Sequence, residues 1–292
     1  MTTVPILNAS GCLDALTAPD VAKSLDAFVT KTVTPLPREG NPPVRIAETE
    51  WGMLNSIGLQ NPGIDAFVVD VLPLLRELAT PIWVSVGGFS ARDYAFACER
   101  LDGCADVTTI ELNLSCPNVE EAPEAAAELV QAARAATGKL LYAKLSPATW
   151  DIGETARAVA GAGADGLSLV NTIRGLALDP DSGRPVLGRG HGGYSGPALK
   201  PIALACVYAC ASAVDLPIVG MGGVAGGRDA LELVAAGATA VALGTILFLD
   251  PFAAGRVRGE LAAEATARGV ASPAEIRGAA LAATPSPVSS AE

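Results

Sequence analysis

The feature that most constrains this chain is a repeated pattern. A short apolar, β-branched run is followed by a loop and then by an Ala/Leu-rich helical stretch. Eight runs read this way, at 4–8, 27–31, 82–86, 108–113, 140–145, 166–171, 217–220 and 240–244. They are short and continuously apolar, as parallel strands buried on both faces must be. Helical segments lie between them, for instance at 122–136, 155–162, 198–213 and 228–236. Eight strands alternating with helices predict an α/β fold, a closed (β/α)8 TIM barrel. The competing architecture, an open doubly wound sheet, would carry GxGxxG in its first βα turn, and that turn lacks it.

A chain of 292 residues, 50% hydrophobic, can bury one large core. The sequence offers no linker, so a single domain is expected over 1–283, with a disordered Pro/Ser-rich tail at 284–292. The formal net charge of −11 argues against nucleic acid and anionic membrane as partners. The uncharged stretch 233–249 is a little short for a membrane span and holds two glycines, so it reads as a helix end followed by a buried strand. The first positive side chain is Lys23, and a start without a basic region does not read as a signal peptide. Six cysteines (12, 98, 104, 116, 206 and 210) form no CxxC pair and no metal-ligand spacing. Free thiols in the cytoplasm, and no metal, are the expectation.

Two insertions follow strand ends, 32–64 after the second and 172–196 after the sixth. Barrel enzymes place their active sites on that face. The polar residues there are concentrated. Of five lysines, Lys31 and Lys144 end strands; of seven asparagines, Asn8, Asn113 and Asn171 do, while Asn55 and Asn118 lie in loops of the same face. A single Asn commonly only bonds its own loop backbone. Five with two lysines suggest a site for a planar anion rich in carbonyl and NH groups. The turns GMGGV (220–224) and LGT (243–245) end the last two strands, where barrels often hold a phosphate on backbone NH groups and a helix N-terminus. A phosphate-sugar isomerase would share that feature. Cys116, in NLSCPN between Asn113 and Asn118, is a candidate base, whereas Cys98, Cys104, Cys206 and Cys210 read as core. The one histidine, His191, lies in the second insertion.

Taken together, TKTVTPLPREGNPPVRIAETEWGMLNSIGLQNPG, IELNLSCPNV, YAKLSP, VNTIRG, GGYSGPALKP, IVGMGGV and ALGT resemble class 1 dihydroorotate dehydrogenases over nearly the whole chain. GNPPxR and NSIGLQNPG are most similar to the NAD-linked subclass 1B. The resemblance implies FMN-dependent oxidation of (S)-dihydroorotate to orotate in pyrimidine biosynthesis. It assigns Cys116 as the base at C5, while hydride leaves C6 for the flavin, and makes Lys31 part of the catalytic set. It gives substrate binding to Lys31, Asn55, Ser56, Ile57, Gly58, Leu59, Asn113, Asn118, Asn171 and Thr172. It gives FMN binding to Ser10, Lys31, Thr32, Ser85, Asn113, Lys144, Val170, Gly196, Gly222, Gly223, Gly244 and Thr245, with Lys144 at the N1/O2 edge. It further implies an electron-transfer subunit carrying FAD and a [2Fe–2S] cluster, in a homodimer or heterotetramer. Two departures stand out: no β-hairpin precedes the first strand, and only VEEAPE separates Asn118 from the next helix. They leave open a relative acting on another dihydropyrimidine, or a flavin-binding protein with little turnover.

Overall fold

The structure, a computed structural model, describes residues 3–114 and 123–282. Cys116, Asn118 and the 284–292 tail lie outside the described residues. Eight parallel strands form the barrel: β1 (Ile6–Asn8), β2 (Phe28–Val29), β5 (Ile82–Val86), β6 (Val107–Asn113), β7 (Leu140–Leu145), β8 (Gly166–Leu169), β11 (Ile218–Met221) and β12 (Ala240–Leu243). Their order is β1-β12-β11-β8-β7-β6-β5-β2, and a parallel bridge between Leu7 and Ala27 joins the two ends.

Strands β1, β2, β11 and β12 alternate between two apolar cores, so their runs in the sequence are continuous. Leu7, Ala27, Val29, Val219, Met221, Ala240 and Ala242 cluster inside the barrel. Their neighbours Ile6, Phe28, Ile218 and Val241 pack outward with the helices. Trp83 and Tyr142 stack in the interior with ring centroids 4.6 Å apart. A Cβ at Gly166 would lie 2.4 Å from the Tyr142 ring, so only glycine fits there.

The outer helices are α1 (Pro19–Lys23), α2 (Ala91–Asp102), α3 (Pro123–Ala136), α4 (Ile152–Gly161), α5 (Lys200–Ala213), α6 (Gly227–Ala235) and α7 (Ala253–Ala267). Helix α2 buries Tyr94, Ala97, Cys98 and Leu101, one face at helical spacing. The side chain of Asp151 caps α4 by accepting from Glu154 N at 3.0 Å. The uncharged 233–249 stretch spans the end of α6, strand β12 and a short helix, Ile246–Leu249. No helix among the described residues is long and apolar enough to cross a membrane.

The two insertions do not stay separate loops. The first forms β3 (Ile46–Thr49) and β4 (Gly52–Asn55); the second forms β9 (Ile173–Gly175) and β10 (Gly192–Ser195). They join in one antiparallel sheet of order β3-β4-β10-β9, with Asn55 opposite Gly193. Ala47, Leu54 and Leu187 give this sheet its own small core. It is built on segments that leave the C-terminal ends of β2 and β8, and so belongs to the mouth of the barrel.

Candidate active site

A chain of hydrogen bonds links five barrel strand ends. Thr32 Oγ1 lies 3.0 Å from Ser85 Oγ and 3.4 Å from Ser10 Oγ. Asn113 Nδ2 donates to Thr32 Oγ1 at 3.1 Å, and Asn171 Nδ2 donates to Asn113 Oδ1 at 3.1 Å. Thr172 N then donates to Asn171 Oδ1 at 2.8 Å. Tyr94, from α2, donates its hydroxyl to Asn113 O at 2.6 Å. Each amide is thereby fixed in orientation before any ligand arrives. Six of the predicted site residues (Ser10, Thr32, Ser85, Asn113, Asn171 and Thr172) thus meet in one network.

Asn8 does not belong to it, which corrects the sequence expectation. Its Nδ2 donates to Val29 O at 2.7 Å and its Oδ1 accepts from Val29 N at 2.8 Å. The amide stands in for a peptide group across the β1–β2 seam, where main-chain pairing is sparse. His191 is exposed in the loop before β10.

The lysines add charge. Lys144 is buried, with Nζ 3.5 Å from the buried Glu111 Oε1. Lys31 is half-buried; burial pulls its ammonium below the ordinary 10.5, with the Cys12 thiol opposing the shift and Arg45 adding to it. Cys12, which the sequence left without a role, lies in the same neighbourhood. A Cβ on Gly244 would sit 3.8 Å from its Sγ. Burial raises its thiol above 9.0, while Lys144 and Lys31 pull it down. Its position two residues after Ser10, in the loop that follows β1, was the one available signal. Cys98, Cys206 and Cys210 are buried as expected, but Cys104 is half-buried, its Sγ 3.5 Å from Arg100 O.

The mouth sheet presents the rest. Asn55 Nδ2 donates to Gly193 O at 3.2 Å. Ser56 is buried and its Oγ accepts from Asn41 Nδ2 at 2.9 Å. Gly58 and Leu59 both have positive φ, 76° and 57°. A Cβ at Gly58 would meet Asn41 Oδ1 at 2.5 Å. Arg45, the arginine of GNPPxR, fixes the 56–60 segment: its guanidinium donates to Asn41 O, Glu39 O and Gln60 Oε1.

The glycine turns differ from the expected form in one respect. The N-terminus of α6 is already occupied by carboxylates: Asp229 Oδ2 accepts from Ala225 N and Gly226 N, and Glu260 Oε2 accepts from Gly227 N. The NH groups left over are those of Gly222, Gly223, Gly244 and Thr245, which donate to no acceptor among the described residues. Gly222 and Gly223 have φ of 119° and 76°, and a Cβ at Gly223 would lie 2.7 Å from Lys200 N. Gly196 also has positive φ, 119°, and packs against Gly52 Cα. Val170 is buried, its NH already given to Met221 O at 3.0 Å. Among the described residues no group of His, Cys, Asp and Glu gathers as metal ligands.

A family model described as dihydroorotate dehydrogenase matches residues 2–264. The chain belongs to the dihydroorotate dehydrogenase family. Its curated relatives include proteins named dihydroorotate dehydrogenase B (NAD(+)), catalytic subunit. The one from Geobacter sulfurreducens is 48% identical over 264 residues, covering 88% of this chain and 87% of the relative. The Trichlorobacter lovleyi protein is 46% identical, with 88% and 87% covered. The Anoxybacillus flavithermus protein is 42% identical, with 89% and 86% covered. Among solved structures, the Eimeria tenella DHODH in complex with ferulenol shares the fold, with a TM-score of 0.80. It is 23% identical, and the match covers 95% of this chain and 85% of that one.

Proposed function

We propose that this chain is the FMN-bearing catalytic subunit of an NAD-linked dihydroorotate dehydrogenase, oxidising (S)-dihydroorotate to orotate in cytoplasmic pyrimidine biosynthesis. The observation that carries this reading is the network Ser85–Thr32–Asn113–Asn171, with Lys31 next to Thr32 in the chain and Lys144 in register with Asn113. The donor set fits the flavin mononucleotide. Four unpaired backbone NH groups on two glycine turns suit one phosphate, and the carboxylates at the α6 N-terminus would repel a second. Val170 would contribute packing and its carbonyl. When bound, FMN supplies a ring that accepts the hydride leaving C6.

The chain's own residues do the remainder. Asn55, Asn113, Asn118 and Asn171 each offer a donor and an acceptor to the edge of a pyrimidine ring. Ser56, Ile57, Gly58 and Leu59 wall the substrate, with Thr172 beside them. Lys31 meets the carboxylate, an anion that offsets its burial. Cys116, as its thiolate, takes the C5 proton. Residues 1–283 form one catalytic domain. A second subunit carrying FAD and an iron–sulfur cluster takes the electrons onward, in a homodimeric or heterotetrameric assembly.

The test is anaerobic addition of dihydroorotate to the yellow protein. The flavin absorbance is expected to bleach, and a spectrum unchanged over hours would overturn the reading. Cys116→Ala should slow bleaching by about 10²–10⁴-fold, the usual loss of a general base, with orotate still bound. Bleaching at the wild-type rate would remove Cys116 from the mechanism.

A further inference from the structure

The interior of the barrel holds a charge pair of which the proposed function uses only the lysine. Glu111 is 1% exposed, and Lys144 on the neighbouring strand is the cation within 4 Å of it. In register, Glu111 lies between Ser85 and Tyr142, and Lys144 between Asn113 and Ser168. The pair is loose. At 3.5 Å, Oε1 accepts no hydrogen bond, and it remains a buried oxygen without a partner, as does Ser168 Oγ. Lys144 Nζ donates to no acceptor among the described residues. A pair kept for stability would be closely hydrogen-bonded, because a buried ion pair repays its desolvation only with excellent geometry. Here the ammonium keeps its donors for something else.

We propose that Glu111 is a positioning residue. It acts as a buried counter-charge that retains the Lys144 ammonium inside the barrel and offsets part of its pull on an electron-rich ring at the mouth. This rests on the reading that a flavin lies against Lys144. Lys144 alone would present a full positive charge and favour the reduced, anionic ring. With Glu111 behind it, the mouth feels a dipole, and the ring is left easier to reoxidise. That suits a subunit that must pass its electrons on.

The sign pattern is specific. Glu111→Gln keeps the shape and removes the charge, so reduced FMN should gain about tenfold in affinity over oxidised FMN, a rise of about 30 mV for a two-electron couple. Lys144→Met should shift the ratio the other way, and the double variant should return most of the way to wild type. A merely structural pair would weaken both redox forms alike. Glu111→Asp keeps the charge and should stay nearer wild type than Glu111→Gln, which separates charge from fold.

A second arm needs no flavin. The chain has five lysines, so a ¹³C-lysine spectrum of flavin-free protein resolves Lys144, assigned by its loss in Lys144→Met. Besides Glu111 on β6, the titratable groups coupled to this neighbourhood among the described residues are Cys12 and Lys31. In Glu111→Gln the Lys144 titration midpoint should fall by about one pH unit, a tenfold change in proton affinity. An unmoved midpoint overturns the proposal whatever the flavin does. A moved midpoint with an unchanged potential overturns the tuning and the placement of the ring against Lys144. If wild-type protein is not bleached by dihydroorotate, the functional reading fails, while the lysine titration still decides the coupling.

Discussion

At the scale of single residues, Asn8 and Asn113 show what a strand-end asparagine can mean. Both end barrel strands, yet Asn113 joins the polar network and Asn8 is committed to the backbone of Val29. Residue type and position were legible in the sequence. Which two strands would meet at the thin seam was not, because that depends on closure of the whole barrel. Replacing Asn8 by Leu strips partners from a buried NH and a buried C=O. The expected loss in urea unfolding is about 2–6 kcal/mol, roughly 1–3 for each group; a loss below about 1 kcal/mol would show that the seam holds without the amide. Lys31 carries the opposite lesson, because its position costs the empty protein. Its ammonium sits below the ordinary 10.5 through burial. As pH rises through that lowered value, the unfolded chain still holds the proton that the folded one has released, so stability rises with pH up to about 10.5. Lys31→Met should abolish that alkaline gain and raise the thermal midpoint at pH 7. Orotate affinity should fall about 10–100-fold, the range for a hydrogen bond to a charged group. Calorimetry at pH 7 and pH 10 with orotate titrations checks both, and a lower midpoint at pH 7 would contradict the account.

At the scale of elements, the barrel strands were legible because burial on both faces leaves an unbroken apolar run. The mouth sheet was not. Strands β9 and β10 are rich in glycine and only partly buried, so they read as a loop, and the Asn55–Gly193 contact spans 138 residues. The same distance problem hid the cap on α6, since Glu260 lies 33 residues beyond Gly227. The glycines of β10 mark close approach rather than freedom. A Cβ at Gly193 would meet Thr172 Oγ1 at 2.0 Å, and one at Gly192 would meet Asn55 O at 2.4 Å. Gly193→Ala must therefore push Thr172 away from the network. Orotate affinity should fall at least about tenfold, while the thermal midpoint moves by only a few degrees, because the barrel core is untouched. Unchanged affinity would mean that the mouth sheet takes no part in holding the substrate.

At the scale of the whole molecule, the question is where the electrons go. The proposed ring would lie at the mouth of a closed barrel, with a second sheet built over the same face. The cysteines at 12, 98, 104, 116, 206 and 210 have no spacing that would ligate an iron–sulfur cluster, and the first βα turn has no dinucleotide fingerprint. The glycine turns offer NH groups for one phosphate, with Asp229 and Glu260 placed against a second. Among the described residues a nicotinamide dinucleotide therefore has no seat, although the relatives that match over most of the chain are named as NAD-linked catalytic subunits. These two observations agree only if another polypeptide completes the path. The prediction is made for the isolated chain, with dihydroorotate as donor and NAD⁺, fumarate or an artificial dye supplied in turn. Turnover is expected with the dye alone, because a small diffusible oxidant reaches the mouth without a second protein. Adding the electron-transfer subunit should restore turnover with NAD⁺. Steady turnover with fumarate would mean that the substrate site itself receives the oxidant, as in subclass 1A. Steady turnover with NAD⁺ alone would remove the need for a partner.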